Sequence, residues 1–229
     1  MSNVNGLVIA IDGPSGSGKS STARGVAQRL GLSYLDTGAM YRAVAWLARH
    51  EGVGLADEDA IAILTMEADL ELSSDPTDQW VTINGHDVTA AIREPEISQV
   101  VSRIATNLRV RPSLIAQQQN LVTLAETGAG IVIEGRDITT VVAPQAPIRV
   151  LLVADPQARV ARREAELGGT ADTAAVTDQV VRRDRDDSTV AAFTEASPGV
   201  TVIDSTDLTL DEVIDQIVSL AQNSPPVEE

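Results

Sequence analysis

The sequence of 229 residues predicts a single α/β domain in which helices cover a parallel sheet. Apolar residues make up 43% of the chain and aromatic residues only 2%, so the core must be built from Val, Ile, Leu and Ala. These residues suit strands that are buried on both faces. Short apolar runs also alternate with helical periodicity, which is typical of βαβ units. The length fits one domain, since single domains run to about 250 residues.

The first βαβ unit begins with an apolar run at residues 7–11, which ends at Asp12-Gly13-Pro14. This pattern predicts a buried strand that enters a glycine-rich turn. Residues 34–35 predict a second short strand and residues 39–50 a second helix. A first helix is predicted between them from Lys19 onward, because apolar residues recur there at helical spacing, at Ala23, Val26, Ala27 and Leu30.

A change of pattern between residues 69 and 88 predicts a small antiparallel insertion. Apolar and polar residues alternate at 70–72 and 80–83, as they do in strands with one exposed face. Asp75-Pro76 and Asn84-Gly85 are turn signals that separate these runs.

The rest of the chain returns to alternating helices and strands. The tail at about 222–229 is polar and contains proline, so we expect it to be disordered. Asp155-Pro156 is a predicted helix start, with an N-cap followed by proline. Helices are predicted at 96–105, at 112–126, from 156 to about 185 and after a capping box at 209–212, and strands at 131–133, 148–153 and 200–203.

The composition excludes several kinds of site. The chain has no cysteine, which excludes disulfides and thiolate-bound zinc and fits a reducing compartment. Its two histidines are too few for a histidine-built metal site. The first residues lack the basic and apolar segments of a secretory signal, and no apolar run reaches the roughly 18 residues of a membrane span. We therefore expect a cytoplasmic protein without a membrane partner.

The formal net charge of −16 argues against a nucleic-acid polymer as partner, because the chain as a whole would be repelled. A phosphate-bearing substrate must therefore meet cations that are gathered locally. Of the 17 basic residues, only Lys19 is a lysine, so its position and those of the arginines are informative.

A phosphate-binding loop is predicted at Gly13–Ser20, which matches G-x-x-x-x-G-K-[ST] in the required strand-to-helix context. The glycines let successive N–H groups point into one concavity, and the following helix adds its positive dipole. Lys19 would neutralise phosphate oxygens, and the hydroxyl of Ser20 would ligate Mg²⁺. The predicted ATP-binding residues are Gly13, Pro14, Ser15, Gly16, Ser17, Gly18, Lys19, Ser20 and Ser21.

Arginines at the same predicted sheet edge point to a second anion site, which a kinase needs for its acceptor. Arg42 follows the junction Asp36-Thr37-Gly38, and Arg136-Asp137 follows a central strand, where doubly wound sheets place ligands. Arg109 and Arg111 flank Val110 before a helix. A further cluster at 182–187 lies in a segment that could close as a lid, although a solvated helix face is an equally good interpretation of that run.

Several segments together resemble the bacterial cytidylate kinase family in order and spacing over nearly the whole chain. The loop alone is nonspecific, but its combination with L-D-T-G-A-M-Y-R and E-G-R-D is specific to that family. The insertion near 69–88 is also similar to the enlarged nucleoside-monophosphate domain of the bacterial members. The segments that carry the resemblance are Gly13–Ser20, 34–42, 109–111, Glu134–Asp137 and Arg183-Asp184-x-x-Asp187-Ser188.

The resemblance implies an acceptor site for CMP or dCMP. Arg42 and Arg136 would hold the acceptor phosphate beside Asp36, and Arg183 and Asp187 would reach the ribose or the phosphates from the lid. The residues with catalytic roles would be Lys19, Arg42, Arg136 and Arg183. The cytosine base would be surrounded by Thr37, Ser102, Arg111 and Asp137.

The chain departs from the family pattern at a few positions. Val190 stands where the family usually has arginine, Phe193-Thr194 where it has Pro-Leu, and Thr139 where it has glycine. An arginine on the transferring phosphoryl group can be worth about 10³-fold in rate. The missing arginine therefore predicts weaker catalysis unless another cation, such as Arg185, takes its place.

These observations predict a P-loop NTPase-type parallel sheet with flanking helices, a small antiparallel insertion and a lid, in one kinase domain that spans residues 1–229. The nucleoside-monophosphate-binding insertion is expected at about 37–110 and the lid at about 168–192. We expect a monomer that uses ATP and Mg²⁺, with Glu134 or Asp36 organising the metal through water.

Two alternatives remain open at this point. One is another P-loop small-molecule kinase, and the other is a nucleotide-hydrolysing switch or binding module. A guanine-specific Asn-Lys-x-Asp motif is excluded, because Lys19 is the only lysine.

Overall fold

A computed structural model describes residues 6–166, 173–191 and 193–223, and it confirms the predicted fold class. The main sheet has five parallel strands in the order β2-β6-β1-β7-β8, and a smaller antiparallel sheet has the order β3-β4-β5. The strands are β1 Val8–Asp12, β2 Ser33–Asp36, β3 Leu70–Leu72, β4 Val81–Ile83, β5 His86–Asp87, β6 Ile131–Gly135, β7 Ile148–Val153 and β8 Thr201–Asp204.

The helices agree closely with the amphipathic segments of the sequence. The Thr209 capping box is present, since the amide of Glu212 donates to the hydroxyl of Thr209 and the amide of Thr209 donates to the carboxylate of Glu212. The helices are α1 Lys19–Leu30, α2 Thr37–His50, α3 Glu58–Glu67, α4 Pro95–Ala105, α5 Arg111–Glu126, α6 Pro156–Glu166, α7 Thr173–Asp187 and α8 Leu210–Asn223.

The main sheet separates two apolar clusters. Along β1, Val8 and Ala10 face the cluster under α2, α4 and α5, whereas Ile9 and Ile11 face the cluster under α1 and α8. This alternation follows from the two-residue period of a strand, and burial on both faces explains why β1 is apolar throughout. The antiparallel sheet packs on the outer side of α2 through a third cluster.

Three described elements were not predicted, of which the shortest is a 3₁₀ turn at Ala91–Arg93. Helix α3 is short and begins after Asp57, whose side chain accepts a hydrogen bond from the amide of Ala60. A π-helix runs over Ile138–Val142, directly after the E-G-R-D segment. Such wide turns depend on contacts made elsewhere in the fold and have no periodic signal in a single sequence.

The predicted lid and tail are described only in part. Helices α6 and α7 account for the described part of the arginine-rich segment, and residues 167–172 and 192 lie outside it. Residues 222–223, at the start of the predicted tail, belong to α8, and residues 224–229 lie outside the described range. Among the described residues, no helix is both long and apolar enough to cross a bilayer.

Candidate active site

Strands β1, β2 and β6 end at the same edge of the main sheet. In the strand register Asp12 lies beside Gly135, and Asp36 lies beside Glu134. The loops that follow these strands therefore meet, and they enclose a cavity of about 400 Å³. Helix α4 lines one side of the cavity, and helices α6 and α7 contribute to its wall.

The phosphate-binding loop has the backbone that its glycines predict. Gly16 and Gly18 have φ values of 76° and 90°, in the left-handed region that glycine adopts most readily. A side chain at Gly16 would also place its Cβ 2.5 Å from the carbonyl oxygen of Arg159. No side chain caps the first turn of α1, so the amides there remain available to an anion.

Lys19 lies in the wall of the cavity and is only 7% exposed. Its Nζ donates a hydrogen bond of 2.8 Å to the carbonyl oxygen of Pro14. Burial, together with the nearby charge of Arg136, lowers the pKa of Lys19 to about 7. An incoming anion would offset both causes, so this amine is poised to bind negative charge.

Ser20 and Glu134 bring two oxygen ligands together beside the loop. The hydroxyl of Ser20 donates a hydrogen bond of 2.6 Å to Oε1 of Glu134. Burial and the nearby Asp36 raise the pKa of Glu134, although Lys19 and Ser20 oppose that shift. No group of three His, Cys, Asp or Glu side chains with metal-binding geometry occurs in the described parts of the chain. A cation here would therefore need oxygens from its nucleotide or from water.

Asp36 is committed to the protein rather than to a metal. Its Oδ1 accepts from the amide of Ala39 and caps α2, while its Oδ2 accepts from Arg42 at 2.6 Å and from Arg93 at 3.0 Å. Burial alone would raise the pKa of Asp36, but Arg42 and Arg93 outweigh it and hold the pKa below its usual range. Arg93 was missed by the sequence analysis, because it comes from the short 3₁₀ turn after the insertion and belongs to no motif.

Arg111 and Asp137 form a buried ion pair on the side of the cavity lined by α4. Arg111 also donates to the carbonyl oxygen of Ala105 at 3.1 Å. Tyr41 lines the same wall, and burial raises the pKa of its hydroxyl to about 12. The pair offers one anionic and one cationic hydrogen-bonding group side by side, which suits a base edge that has both a donor and an acceptor.

Arg136 connects three parts of the site. Its Nη1 donates to the carbonyl oxygen of Gly13 at 2.8 Å, and its Nε donates to Asp187 of α7 at 3.3 Å. The guanidinium lies 4.9 Å from the centre of the buried ring of Phe193. Phe193 therefore packs on the guanidinium of Arg136. It is one of the positions at which the sequence departs from the family that it resembles.

Helix α7 is hydrogen-bonded to the phosphate-binding loop. The amide of Ser15 donates to Asp184 at 2.9 Å, and Arg159 forms an ion pair with the same carboxylate. Arg159 also donates to the carbonyl oxygen of Ser15 at 3.1 Å. The amide of Ser15 is therefore held by α7 of the predicted lid, and its carbonyl by α6, which precedes the predicted lid.

The cations on the lid side differ from the expectation. Arg183 lines the cavity, its Nε makes no hydrogen bond to any described residue, and burial together with Arg136 lowers its pKa to about 10. Arg163 of α6 and Val190 both line the cavity. Arg185 is 74% exposed and pairs with Asp186, so the suggestion that it replaces the missing arginine is wrong.

Most of the predicted site residues line one cavity, including Lys19, Arg42, Arg111 and Arg136. Arg109 does not, because it is exposed and pairs with Asp59. The cavity arginines that the sequence analysis missed are Arg24, Arg93 and Arg163, which lie outside every motif. The predicted site residues that do not line the cavity are Gly13, Pro14, Ser17 and Ser102.

Ser102 belongs to α4, and its neighbours Ser98, Val101 and Ala105 line the cavity in its place. Its hydroxyl is buried without a hydrogen-bond partner in the described structure. A buried hydroxyl with no partner costs free energy, so a ligand or a small shift of α4 would be needed to satisfy it.

Comparisons with known proteins agree with this geometry. The cytidylate kinase family model matches residues 9–223. A cytidylate kinase of Cutibacterium acnes is 56% identical over 93% of this chain and 95% of its own. One from Streptomyces avermitilis is 42% identical over 96% and 94% of the two chains. A bifunctional pantoate ligase/cytidylate kinase of Prochlorococcus marinus is 44% identical over 96% of this chain and 44% of that longer protein. The chain therefore belongs to the cytidylate kinase family.

Proposed function

We propose that the protein transfers the γ-phosphoryl group of ATP to the 5′-phosphate of CMP or dCMP, which gives ADP and CDP or dCDP. The observation that carries this proposal is the shared cavity of Lys19, Arg42, Arg111 and Arg136 in a chain whose net charge is −16. Membership of the cytidylate kinase family supports the same reaction.

The arrangement of cations favours a kinase over a hydrolysing switch or a binding module. A hydrolase needs the phosphate-binding loop and a positioned water, whereas this cavity has arginines on the side facing the loop as well. Two anions brought into one enclosed space repel each other unless cations lie between and around them. Arg136 lies at that position, since it contacts Gly13 of the loop and precedes Asp137 of the acceptor side.

The donor side would bind ATP through Lys19 and through backbone amides of Gly13–Ser21, where Pro14 has no N–H to donate and the amide of Ser15 would first have to leave Asp184. Mg²⁺ prefers oxygen ligands, so the pair of Ser20 and Glu134 fits it, with Ser20 as ligand and Glu134 acting through water. Asp36 is the weaker candidate because two arginines already occupy its carboxylate. Bound Mg²⁺ would neutralise charge on the β- and γ-phosphate oxygens.

The acceptor side would bind cytosine between Arg111 and Asp137. The carboxylate of Asp137 can accept a hydrogen bond from the exocyclic amine of cytosine, which uracil lacks, and Arg111 can donate to the ring carbonyl. Thr37 and Ser102 would complete the base site. Thr37 now donates to the carbonyl oxygen of Glu134 at 2.8 Å.

The acceptor phosphate and the ribose would be held by the remaining cations and carboxylates. Arg42 and Arg136 would bind the phosphate, with Asp36 orienting Arg42, and Arg183 and Asp187 would reach the ribose or the phosphates from the lid side. The second pKa of a phosphate monoester is about 6, so the acceptor is already a nucleophilic anion near neutral pH. Transfer then depends on alignment and charge neutralisation, with no need for a strong general base.

We further propose how the chain is organised around this reaction. Residues of about 37–110 would form the nucleoside-monophosphate-binding part, and residues of about 168–192 the lid. A cytoplasmic monomer that binds ATP and CMP or dCMP, and no nucleic-acid polymer or membrane, accords with the absence of cysteine and the net charge of −16.

An ADP-release assay with purified protein tests the proposed function. CMP, dCMP, UMP, AMP, GMP and shikimate would be offered with ATP·Mg²⁺. We expect CMP and dCMP to be the best acceptors and turnover without an acceptor to be negligible. Preferred use of shikimate or a purine nucleotide would indicate another P-loop kinase, and turnover that does not depend on any acceptor would indicate a hydrolase.

The pKa of Lys19 should respond to ATP. Lys19 is the only lysine, so competitive acetylation reports its titration directly, with the α-amino group as reference. We expect a midpoint near pH 7 in the protein alone and a higher midpoint with ATP, whose phosphates stabilise the ammonium. Since binding then takes up a proton, ATP affinity should fall as pH rises above 7. A midpoint near the ordinary 10.5, or one that ATP leaves unchanged, would contradict this.

A further inference from the structure

Asp12 is a buried carboxylate between the two halves of the active site. It is the last residue of β1, immediately before Gly13, and it is 1% exposed. Its Oδ1 accepts from the amide of Ile138 at 2.8 Å, and its Oδ2 accepts from the amide and the hydroxyl of Thr139 at 2.8 and 2.7 Å. All of these donors belong to the segment after β6, at a separation of more than a hundred residues.

The three donors lie at the start of the π-helix. Asp137 is its N-cap residue, yet its own side chain makes no capping hydrogen bond. An aspartate at an N-cap ordinarily accepts from amides two or three residues ahead. Here Asp12 of β1 accepts these hydrogen bonds instead of Asp137. The carboxylate of Asp137 is therefore free to pair with Arg111 in the cavity.

A second contact joins the same two segments. Arg136 donates to the carbonyl oxygen of Gly13, so the consecutive residues Asp12 and Gly13 bind residues on both sides of Asp137. The backbone of Asp137 has φ −139° and ψ 25°, which is neither helical nor extended. Contacts before and after the residue hold this conformation, and the amides of Val141 and Val142 in its own helix donate to the carbonyl oxygen of Asp137.

We propose that Asp12 is a positioning residue for the acceptor: by holding the amides of Ile138 and Thr139 it sets the direction of the Asp137 carboxylate, and the hydroxyl of Thr139 completes the contact. This inference rests on the proposed function, in which Asp137 binds the acceptor base. The third hydrogen bond comes from the hydroxyl of Thr139, which a residue without that group could not supply. The carboxylate of Asp12 thus joins the donor and acceptor halves, alongside the pairing of β1 with β6 and the contact of Arg136 with Gly13.

If Asp12 only stabilised the fold, its replacement would affect CMP binding and ATP binding alike. Loss of a buried hydrogen bond would lower the free energy of unfolding without favouring either substrate. A positioning role instead weakens CMP binding and transfer more than ATP binding, because the segment after β6 forms the acceptor side. The dissociation constants of the two nucleotides, measured separately by calorimetry, distinguish these cases.

The test uses Thr139→Val, which removes the hydroxyl and keeps the shape, and Thr139→Ser, which keeps the hydroxyl. We expect Thr139→Val to raise the dissociation constant for CMP about fivefold, the range of one hydrogen bond, and to change that for ATP by less than about twofold. Thr139→Ser should bind CMP as the unmodified protein does. In Asp12→Asn the side-chain NH2 group would face the N–H of either Ile138 or Thr139, and we expect transfer to CMP to fall about a hundredfold through misplacement of Asp137.

Coupling between the two residues adds a second measurement. If Asp12 and Thr139 act through each other, the double variant Asp12→Asn/Thr139→Val should lose less CMP affinity than the product of the single losses. The inference is overturned if Thr139→Val leaves CMP affinity unchanged, or weakens CMP and ATP equally. It is also overturned if Thr139→Ser fails to restore binding. Should Asp12→Asn not fold, the two Thr139 variants still decide the question.

The outcome for the proposed function is separate. The proposed function is tested by the turnover of the unmodified protein with CMP, and that measurement does not involve the Thr139 variants. An active protein with unchanged CMP affinity in Thr139→Val would overturn only the role of Asp12. An unmodified protein that does not phosphorylate CMP or dCMP would overturn the function itself.

Discussion

Replacing Lys19 with methionine should lower kcat for CMP phosphorylation by about a thousandfold or more. The side chain of Lys19 is the only ammonium in the chain, and it lies in the cavity beside Arg136. Methionine keeps much of the length and removes the charge, so the developing charge on the phosphoryl oxygens loses a direct partner. Steady-state kinetics with saturating CMP and ATP would measure the loss.

Two further variants control for this result. Arg29 lies on the same helix α1, is partly exposed and pairs with Asp211 and Asp215, so Arg29→Met removes a cation of α1 that does not line the cavity. We expect its kcat to stay within about twofold, because exposed ion pairs contribute little. Lys19→Arg keeps the charge but not the compact shape, and it should recover only part of the rate. A fully active Lys19→Met protein would place ATP elsewhere.

The second large effect is expected at Arg183. This arginine is partly buried, and burial together with the nearby Arg136 lowers its pKa to about 10 although Asp187 opposes the shift; its Nε has no partner in the described structure. Binding of an anion would stabilise such a partly desolvated cation more than one that is already paired. We therefore expect Arg183→Met to lower kcat by about a thousandfold, the worth of an arginine on the transferring phosphoryl group.

Arg185→Met is the matched control, since Arg185 lies on the same helix and is exposed. It should leave kcat within about twofold. Similar losses in both variants would show that α7 contributes through its overall charge, and the role of Arg183 at the phosphoryl group would then be wrong.

We expect Arg163 to take the place of the lid arginine that is missing at Val190, and variants at these two positions test this. Val190 and Arg163 line the same cavity, and the sequence analysis had suggested Arg185 instead. Val190→Arg should increase kcat little in the unmodified protein but restore much of the activity lost in Arg163→Ala. If Val190→Arg raises kcat by a large factor on its own, no other side chain now fills that role.

Much of the fold could be predicted because its signals are local. The apolar runs of β1, β6 and β7 and the periodic faces of α1 and α8 are each contained in a few neighbouring residues. Helix α3 and the π-helix after Asp137 could not be predicted in the same way. Apolar residues occupy 60–64 of the first without a break, so they show no helical period, and the amides at the start of the second donate to a carboxylate from another strand.

By itself, the sequence determined the parallel sheet, the phosphate-binding loop and the arginine-bearing junctions. Buried strands and glycine turns can be recognised from a few neighbouring residues. Only the tertiary structure decided how charges are paired across the site. It joined Asp36 to Arg42 and Arg93, left Glu134 beside Ser20, turned Arg185 to the surface and brought Arg163 to the cavity. The physical reason is that ion pairs and hydrogen bonds between distant segments depend on packing and burial, which no local pattern encodes.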